Sequence, residues 1–233
     1  MSKCGSMEGK LSVVATPIGN LGDLTFRALW NLKECTCVYA EDTRVTLKLL
    51  NHYGLRKPVF RLDAATEGKK AGEIVVRLQG GEHVVYVTDA GTPGISDPGA
   101  RLVAYVRKVS PDVKIEAVPG PSALTAALSI AGIDATTFTF LGFLPHKKGR
   151  QTALKQIAKS EVPVVLYESP HRILKLLSEL SEMSSHCRVT IARELTKIHE
   201  EVLTGTPDDV AEKLEKGKKV RGEFVVIIEP KTS

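Results

Sequence analysis

Short runs of β-branched and other apolar residues alternate with segments of helical periodicity along nearly the whole chain. This alternation is typical of α/β proteins with mostly parallel sheets, because a crossover segment must return the chain between parallel strands. The strands predicted in the first half are Leu11–Ala15, Thr36–Ala40, Val59–Leu62, His83–Thr88 and Val113–Val118. Those predicted in the second half are Thr137–Leu141, Pro163–Tyr167, Arg188–Ala192, Glu200–Leu203 and Phe224–Ile228. Five strands on each side of the Pro-Gly-Pro at 119–121 predict two α/β subdomains, each with a roughly five-stranded sheet.

The expected boundaries are an N-terminal subdomain at 11–118 and a C-terminal one at 119–233, after a disordered or non-native segment at 1–10. Helix starts are indicated where proline follows a residue that caps helices, and these are Asp97-Pro98, Ser169-Pro170 and Thr206-Pro207. The second of them predicts a helix from Pro170 to about Glu182. The glycines expected at helix ends are Gly54, Gly80 and Gly132.

Composition places the chain among globular proteins. Of its 233 residues, 42% are hydrophobic and 25% are charged, which excludes a disordered chain and a coiled-coil rod. No apolar run approaches the ~18 residues of a membrane span, and no secretory signal is visible. The cysteines are too few and scattered for a disulfide scaffold, so reduced thiols and a cytoplasmic location are expected; they are Cys4, Cys35, Cys37 and Cys187. A net charge of +5 permits a polyanionic partner without requiring one.

Three loops rich in glycine and proline follow predicted strands, at 16–23, 88–99 and 119–123. Ligands of open α/β sheets bind outside the carboxyl ends of the strands. Glycine lets backbone approach a ligand, and proline fixes the shape of the loop. Asp89 and Asp97 add carboxylates that are able to face a cation or a ribose hydroxyl. Any one of these loops is compatible with an ordinary turn, but three at one sheet edge predict a binding site.

Several common sites are excluded by missing motifs. The chain has no G-x-x-x-x-G-K-[ST] nucleotide loop and no G-x-G-x-x-G dinucleotide fingerprint. It also lacks H-E-x-x-H and G-x-S-x-G, and its six histidines have no paired metal spacing. The residues alone therefore predict an enzyme or binding protein with a small-molecule cleft that does not depend on a metal.

Eight motifs in order carry a resemblance that covers residues 11–229. They are Ala15–Leu21, Ala40–Arg44, Asp89–Pro93 with Asp97–Gly99, Pro119–Ala123, Gly142–Pro145, Tyr167–Arg172, Ala192–Lys197 and Arg221–Glu223. Together they resemble the ribosomal RNA small subunit methyltransferase I family of the tetrapyrrole methylase superfamily. The resemblance implies two α/β subdomains with S-adenosylmethionine in the cleft between them, usually in a homodimer. It also implies methyl transfer to the ribose 2′-oxygen of a cytidine in the decoding centre of 16S rRNA.

The resemblance also implies which residues border the cofactor. Pro17 belongs to the first loop, and 89–93 with Ile95 or Ser96 would form one wall. Ser122 and Ala123 would meet the adenosine or methionine part, while Tyr167 and Ala192 would close the site from the second subdomain. The full set is Pro17, Asp89, Ala90, Gly91, Pro93, Ile95, Ser96, Ser122, Ala123, Tyr167 and Ala192.

A ribose hydroxyl must lose its proton to attack, so a general base or a nearby cation is expected. The candidate bases are Asp42, with its neighbour Glu41, and Glu168, His171 and Glu194. The candidate substrate cations are Arg44, Lys147, Lys148, Arg150, Arg172 and Lys197. Asp42 is also a reasonable helix cap, and Glu168 a partner for nearby backbone. His146–Arg150 is expected to contact phosphate, whereas the cations at 216–221 are expected to form a solvated helix end.

Two departures from the family pattern leave alternatives open. The family's L-H-x-H-N-E segment is replaced by Leu62–Glu67, which keeps only the leucine and the glutamate, and a small C-terminal domain of many relatives is not seen after Ile228. One alternative is a corrin or porphyrin C-methyltransferase of the same superfamily. The other is a catalytically silent cofactor-binding assembly factor.

Overall fold

The computed structural model describes residues 9–63, 66–96, 99–183 and 187–230. The chain forms two compact units, the first ending at Ser122 and the second beginning at Ala123. Each unit holds one five-stranded sheet, as predicted. All ten predicted strands are present, with ends shifted by no more than two residues. Strand β1 includes Lys10, which the sequence had placed in the segment before the fold, and residues 1–8 lie outside the described part.

The N-terminal unit alternates strands and helices. Its elements are β1 (Lys10–Val14), α1 (Phe26–Glu34), β2 (Cys37–Ala40), α2 (Thr43–His52), β3 (Val59–Arg61), α3 (Glu67–Gln79), β4 (His83–Val87), α4 (Ala100–Val109) and β5 (Lys114–Val118). The sheet order is β3-β2-β4-β1-β5, and every pairing is parallel. All five strands therefore end at the same edge, where the loops predicted to bind a ligand begin.

Apolar residues cover both faces of this sheet, which explains the uninterrupted apolar runs of its strands. On one face, Tyr86 packs with Ile74 of α3 and Leu102 of α4. On the other face, Val85 packs with Leu32 of α1 and Leu50 of α2. Because neighbouring residues of β4 enter opposite clusters, the strand is buried from Val84 to Val87 and its register is fixed.

The C-terminal unit has a mixed sheet. Its elements are α5 (Ala123–Ile130), β6 (Thr139–Phe143), α6 (Arg150–Ala158), β7 (Val164–Glu168), α7 (Ile173–Met183), β8 (Val189–Arg193), β9 (Glu201–Gly205), α8 (Pro207–Lys216) and β10 (Phe224–Ile228). In the order β6-β7-β10-β8-β9, only β6 and β7 are parallel neighbours. The expectation of mostly parallel sheets is therefore wrong for this half. The short connection from β8 to β9 is compatible only with antiparallel pairing, since a parallel crossover needs a dozen residues or more.

Helix boundaries follow the predicted signals in most places. Thr206 caps α8, because its side chain accepts a hydrogen bond from the Asp209 amide. The Asp209 side chain in turn accepts one from the Thr206 amide, which completes a capping box. Gly54, Gly80 and Gly132 each follow the end of a helix, as predicted. The prediction at Ser169-Pro170 is wrong by three residues, because the Ser169 carbonyl accepts from the amides of Arg172 and Ile173 and forms a separate turn. Asp97-Pro98 lies outside the described residues.

Within the described ranges, no helix combines the length and the apolar character needed to cross a membrane. Three cysteines are described, and each is a buried free thiol. Burial raises the pKa of Cys35 and of Cys37 to about 11, so both remain protonated thiols near neutral pH. This agrees with their interpretation as buried reduced thiols. Cys4 lies outside the described residues.

A polar cluster lies between α1 and the sheet of the N-terminal unit. The buried Ser12 hydroxyl lies 2.9 Å from Asn31 Oδ1 and 3.0 Å from His83 Nε2. Lys10 Nζ lies 3.1 Å from Glu116 Oε2, and Glu116 is also 3.4 Å from Ser12 Oγ. Burial, reinforced by the positive charge of Lys10, lowers the pKa of His83 to about 4.

His83 is therefore expected to make the stability of this unit depend on pH. The unfolded chain binds the proton near pH 6.5 and the folded chain near 4, so stability is lost as the pH falls through this window. Because the ring is only partly buried, we expect a loss of about 1–2 kcal/mol relative to a His83→Gln variant. Urea unfolding at pH 7 and pH 4.5 measures this difference, and parallel losses in both proteins would contradict the assignment.

Candidate functional site

The loops after β1 and β4 are joined at the carboxyl edge of the N-terminal sheet. The amides of Thr16 and Gly91 each donate to the other residue's carbonyl, both at 3.0 Å. The Thr16 hydroxyl donates to the Thr88 carbonyl at 3.2 Å. β1 and β4 are parallel neighbours in the sheet, and the Thr16–Gly91 bridge between the loops that follow them is antiparallel. The two loops therefore hold each other in place.

The loop after β5 is tied to the same pair. The Thr92 hydroxyl donates to the Pro121 carbonyl at 3.1 Å. Gly120 packs against Ala15 so closely that an added Cβ would lie 3.1 Å from the alanine methyl. Gly91 lies close to both of the other loops. A Cβ added to it would lie 3.4 Å from Ile18 Cγ2 in the loop after β1 and 3.7 Å from the Pro121 carbonyl oxygen in the loop after β5. All three loops predicted to form a site thus meet.

The short loop after β2 joins them through Asp89, whose Oδ1 accepts from the Asp42 amide at 2.9 Å. The predicted cofactor residues of these loops differ in exposure. Gly91 and Pro93 are buried and support the loop, and Pro17 and Ser122 are half-buried. Those open to solvent are Asp89, Ala90, Ile95 and Ser96. The loop after β4 therefore presents its backbone and the Asp89 carboxylate to solvent at the carboxyl edge of the sheet.

Glu67 fixes the far end of the loop after β4. Its buried carboxylate accepts from the amides of Gly99 at 3.1 Å and Leu102 at 2.9 Å, which lie at the start of α4. A carboxylate is favourable at a helix N-terminus because it satisfies free amides and opposes the helix dipole. The retained glutamate of the 62–67 segment thus has a structural role. Leu62 is also buried, whereas Ala64 and Ala65 lie outside the described residues.

The remaining predicted cofactor residues belong to the C-terminal unit, where Ala123 begins α5. Tyr167 of β7 and Ala192 of β8 lie opposite Val225 on either side, so they share one face of the sheet. Tyr167 is half-buried, with its ring centroid 5.0 Å from Phe140 and 5.7 Å from Phe143. Ala192 is 1% exposed. Both therefore lie at the carboxyl end of a strand on a largely apolar face.

Asp42 is a helix cap and an ion-pair partner. It accepts from the Arg44 amide at 2.8 Å, and its other oxygen lies 2.6 Å from Arg44 Nη2. Hydrogen bonds from Arg44 lower the pKa of Asp42 to about 2. A carboxylate stabilised in this way is a weak base, so the capping interpretation is favoured. Arg44 keeps 85% of its side chain exposed and remains available to an anionic substrate.

Three further predicted site residues form a buried ion network. Glu168 has a fully buried side chain and lies 2.7 Å from Arg172. Arg150 is 5% exposed in its side chain and pairs with Glu179 at 2.7 Å. The expectation that Arg150 and Arg172 meet substrate phosphates is corrected, because both guanidiniums face inward to carboxylates. Glu168 is also cut off from solvent, and its Ser169 amide contact matches the alternative that it satisfies backbone.

Glu194 and Lys197 form a second network after β8. Glu194 Oε1 lies 2.8 Å from Lys197 Nζ and accepts from the Glu223 amide at 3.1 Å. Lys197 also contacts Glu223 Oε2 at 2.9 Å. Although burial acts to raise the pKa of Glu194, these hydrogen bonds and the charge of Lys197 lower it overall. Glu194 has a φ of 51° and Thr196 one of 64°, a strain often found at functional loops.

The exposed candidates are few. His171 lies in the turn before α7 rather than in its first turn, and its side chain is exposed. His146, Lys147 and Lys148 are exposed between β6 and α6. Two residues of these networks were not predicted from the sequence: Glu179, a helical acid with no signal of its own, and Glu223, whose Arg-Gly-Glu motif carried no predicted role. In the described part of the chain, no group of three or more side chains is arranged to hold a metal ion.

Comparison with known proteins adds independent findings. The family model of the tetrapyrrole (corrin/porphyrin) methylases matches residues 10–211. The chain is 42% identical to the ribosomal RNA small subunit methyltransferase I of Thermotoga maritima, over 96% of this chain and 99% of that protein. It is 44% identical to the Xylella fastidiosa protein of the same name, over 96% of this chain and 82% of that protein.

Two solved structures share the fold at low identity. A cobalt precorrin-4 methyltransferase matches with a TM-score of 0.70 and 19% identity, covering 97% of each chain. A Thermus thermophilus uroporphyrin-III C-methyltransferase complexed with S-adenosylhomocysteine matches with a TM-score of 0.64 and 20% identity, covering 95% of this chain and 97% of that one. The chain belongs to the tetrapyrrole methylase family, within the group of ribosomal RNA small subunit methyltransferase I proteins.

Proposed function

We propose that this chain methylates the ribose 2′-hydroxyl of a cytidine in the decoding centre of 16S rRNA. It is a methyltransferase that uses S-adenosylmethionine, as its family membership indicates. The near full-length identity of 42–44% to proteins named for small-subunit rRNA carries the proposal of the target. The alternative of a macrocycle substrate has weaker support, because the corrin and porphyrin enzymes compared are only 19–20% identical and share the fold alone.

The joined loops of the N-terminal unit fit a cofactor with polar and apolar parts. Asp89 is an exposed carboxylate suited to hydroxyl or ammonium groups, and Ile95 is an exposed apolar side chain nearby in the loop. Pro17 and Ser122 come from the two flanking loops, and both side chains are half-buried. When bound, S-adenosylmethionine supplies the electrophilic methyl group. The protein's contribution is to hold the acceptor oxygen in line, which lowers barriers by roughly 7–11 kcal/mol.

Removal of the hydroxyl proton requires an accessible base. Asp42 is held as a carboxylate of very low basicity, Glu168 is buried, and Glu194 is held by Lys197. Among Asp42, Glu168, His171 and Glu194, His171 is the exposed side chain for which the described residues provide no ion pair, and Glu41 is half-buried. We therefore assign proton removal to His171. Arg44 and Lys197 are retained as the proposed substrate cations, and each also pairs with a carboxylate, Asp42 and Glu194 respectively.

The exposed lysines between β6 and α6 are assigned to RNA phosphates. Each neutralised phosphate releases counterions, so affinity falls as salt rises, in proportion to the number of contacts. A Lys147→Ala/Lys148→Ala variant is expected to reduce the slope of log affinity against log salt by about 1.5. Filter binding to small-subunit RNA between low and moderate salt measures this slope. Lys216→Ala at the solvated end of α8 is the control, and an equal loss of slope there would contradict the assignment.

Transfer of tritium from labelled S-adenosylmethionine to small subunits made without this protein tests the proposed function. Mass mapping should place the methyl on a cytidine ribose of the decoding centre. Transfer to uroporphyrinogen or a precorrin instead would identify a macrocycle enzyme, and tight cofactor binding without transfer would identify a silent assembly factor. We further propose that the protein is a cytoplasmic homodimer, as the family resemblance implies, and sedimentation equilibrium tests its oligomeric state.

A further inference from the structure

The segment Leu144–Gly149, here called the basic loop, is held at its first two carbonyls. Arg172 Nη1 donates to the Leu144 carbonyl at 3.0 Å, and Arg150 Nη1 donates to the Pro145 carbonyl at 3.4 Å. Leu144 is also buried in the apolar core of the C-terminal unit. The next three side chains, including those of Lys147 and Lys148, are exposed. Two guanidiniums thus fix the backbone immediately before the exposed lysines.

These guanidiniums are held in turn by two carboxylates from other elements. Arg150 donates to Glu179 Oε2 of α7 through Nε at 2.9 Å and Nη2 at 2.7 Å. Arg172 donates through Nε to Glu168 Oε1 of β7 at 2.7 Å. Glu168 Oε2 lies 3.9 Å from Arg150 Nη1, which connects the two pairs. The four side chains are between 0% and 14% exposed, and their charges cancel.

Stability alone does not explain such a network. Burying four charges is costly, and replacing a buried ion group by apolar residues is often neutral or stabilising. Such pairs instead fix the orientation of the guanidinium. A planar guanidinium held by a carboxylate donates its other hydrogen bonds in fixed directions. In this network those remaining bonds end on the carbonyls of Leu144 and Pro145. The contacts therefore determine the shape of the basic loop.

We propose that Glu168, Arg172, Arg150 and Glu179 are positioning residues that hold the basic loop in the conformation in which Lys147 and Lys148 meet RNA phosphates. The inference rests on the proposed function, since it requires an RNA substrate. The proposal gives the residues of the cluster His146–Arg150 two different roles. The lysines face the substrate, while Arg150 faces inward and fixes the backbone before them through the Pro145 carbonyl.

Glu179→Gln tests the proposal, because it keeps the side-chain shape and removes the charge that holds Arg150. The KM for small-subunit RNA is expected to rise about tenfold, with kcat and the affinity for S-adenosylmethionine unchanged. In a Lys147→Ala/Lys148→Ala background the same substitution is expected to have no further effect on KM, since the groups that it positions are gone. Amide exchange at 146–149 is expected to become faster in Glu179→Gln than in the wild type.

Glu116→Gln is the matched control, because it also removes a partly buried carboxylate from an ion pair, in this case with Lys10 in the N-terminal unit. It is expected to lower stability and leave the RNA KM unchanged. An unchanged KM in Glu179→Gln, an equal rise in both backgrounds, or a parallel loss of kcat would overturn the proposal. Should Glu179→Gln fail to fold, Arg172→Lys is measured in the same way. A wild-type protein that does not methylate small-subunit RNA would instead refute the proposed function.

Discussion

Gly91→Val is expected to lower the affinity for S-adenosylmethionine by at least about 100-fold, or roughly 2.7 kcal/mol. Gly91 has a φ of 82°, and its Cβ would already lie 3.4 Å from Ile18 Cγ2. The larger valine side chain therefore has to displace the loop after β1, in addition to its backbone strain of about 1–3 kcal/mol. This movement breaks the paired bonds with Thr16 that hold the two loops together. Isothermal titration calorimetry measures the affinity.

Gly94→Val is the matched control in the same loop. Its φ of 84° imposes the same backbone strain, but an added Cβ at Gly94 has no atom within 4 Å. We expect a loss of affinity at least tenfold smaller than that for Gly91→Val. Equal losses at the two positions would mean that strain alone is responsible, and unchanged affinity in Gly91→Val would reject the placement of this loop at the cofactor.

Gly99→Ala is expected to lower the free energy of unfolding by about 3–5 kcal/mol. Gly99 has a φ of 125°, a conformation that side chains oppose, and its Cβ would lie 2.5 Å from Cε1 of Tyr86. Tyr86 is 0% exposed and packed in the core, so its ring has no space to move. The start of α4 must shift instead, which weakens the Gly99 amide bond to Glu67. Urea unfolding measures the change.

The control is Gly54→Ala in the same unit. Gly54 also has a positive φ, of 67°, but an added Cβ meets nothing within 4 Å. A loss of only about 1 kcal/mol is expected there, from backbone strain alone. If Gly99→Ala were no worse than Gly54→Ala, the contact with the tyrosine ring would not limit this position.

Local chemistry made the elements predictable from the sequence, but not the direction of every strand. An apolar run such as Phe224–Ile228 indicates a buried strand and gives no direction, so the antiparallel insertion of β10 between β7 and β8 was missed. The loops at the edge of the first sheet were predictable because parallel strands all end on one side. Glycine and proline marked those loops clearly, and the contacts of Thr16 with Gly91 explain how they meet.

The two misassigned cations are held by carboxylates that were not predicted to be their partners. Arg150 ends a basic run and was expected to contact substrate phosphate, yet it turns inward to Glu179, 29 residues further along the chain. Arg172 was expected in a helix, but the turn at Ser169 places it beside Glu168. Glu179 is not marked by any local pattern, because an acid on a helix has the same sequence signature whether it is buried or solvated. Glu168 was identified as a candidate base, but not as the partner of Arg172.

The two buried residues of the Leu62–Glu67 segment suggest why this stretch tolerates replacement of its middle. Leu62 fills the core, and Glu67 holds the beginning of α4 by its amides. With both ends held by the scaffold, introduction of the histidines and asparagine of the family pattern is expected to leave the neighbouring architecture intact. Grafting the family's L-H-x-H-N-E pattern into residues 62–67 is thus expected to cost the fold little, and a change in the methylated RNA would show that this stretch takes part in target choice.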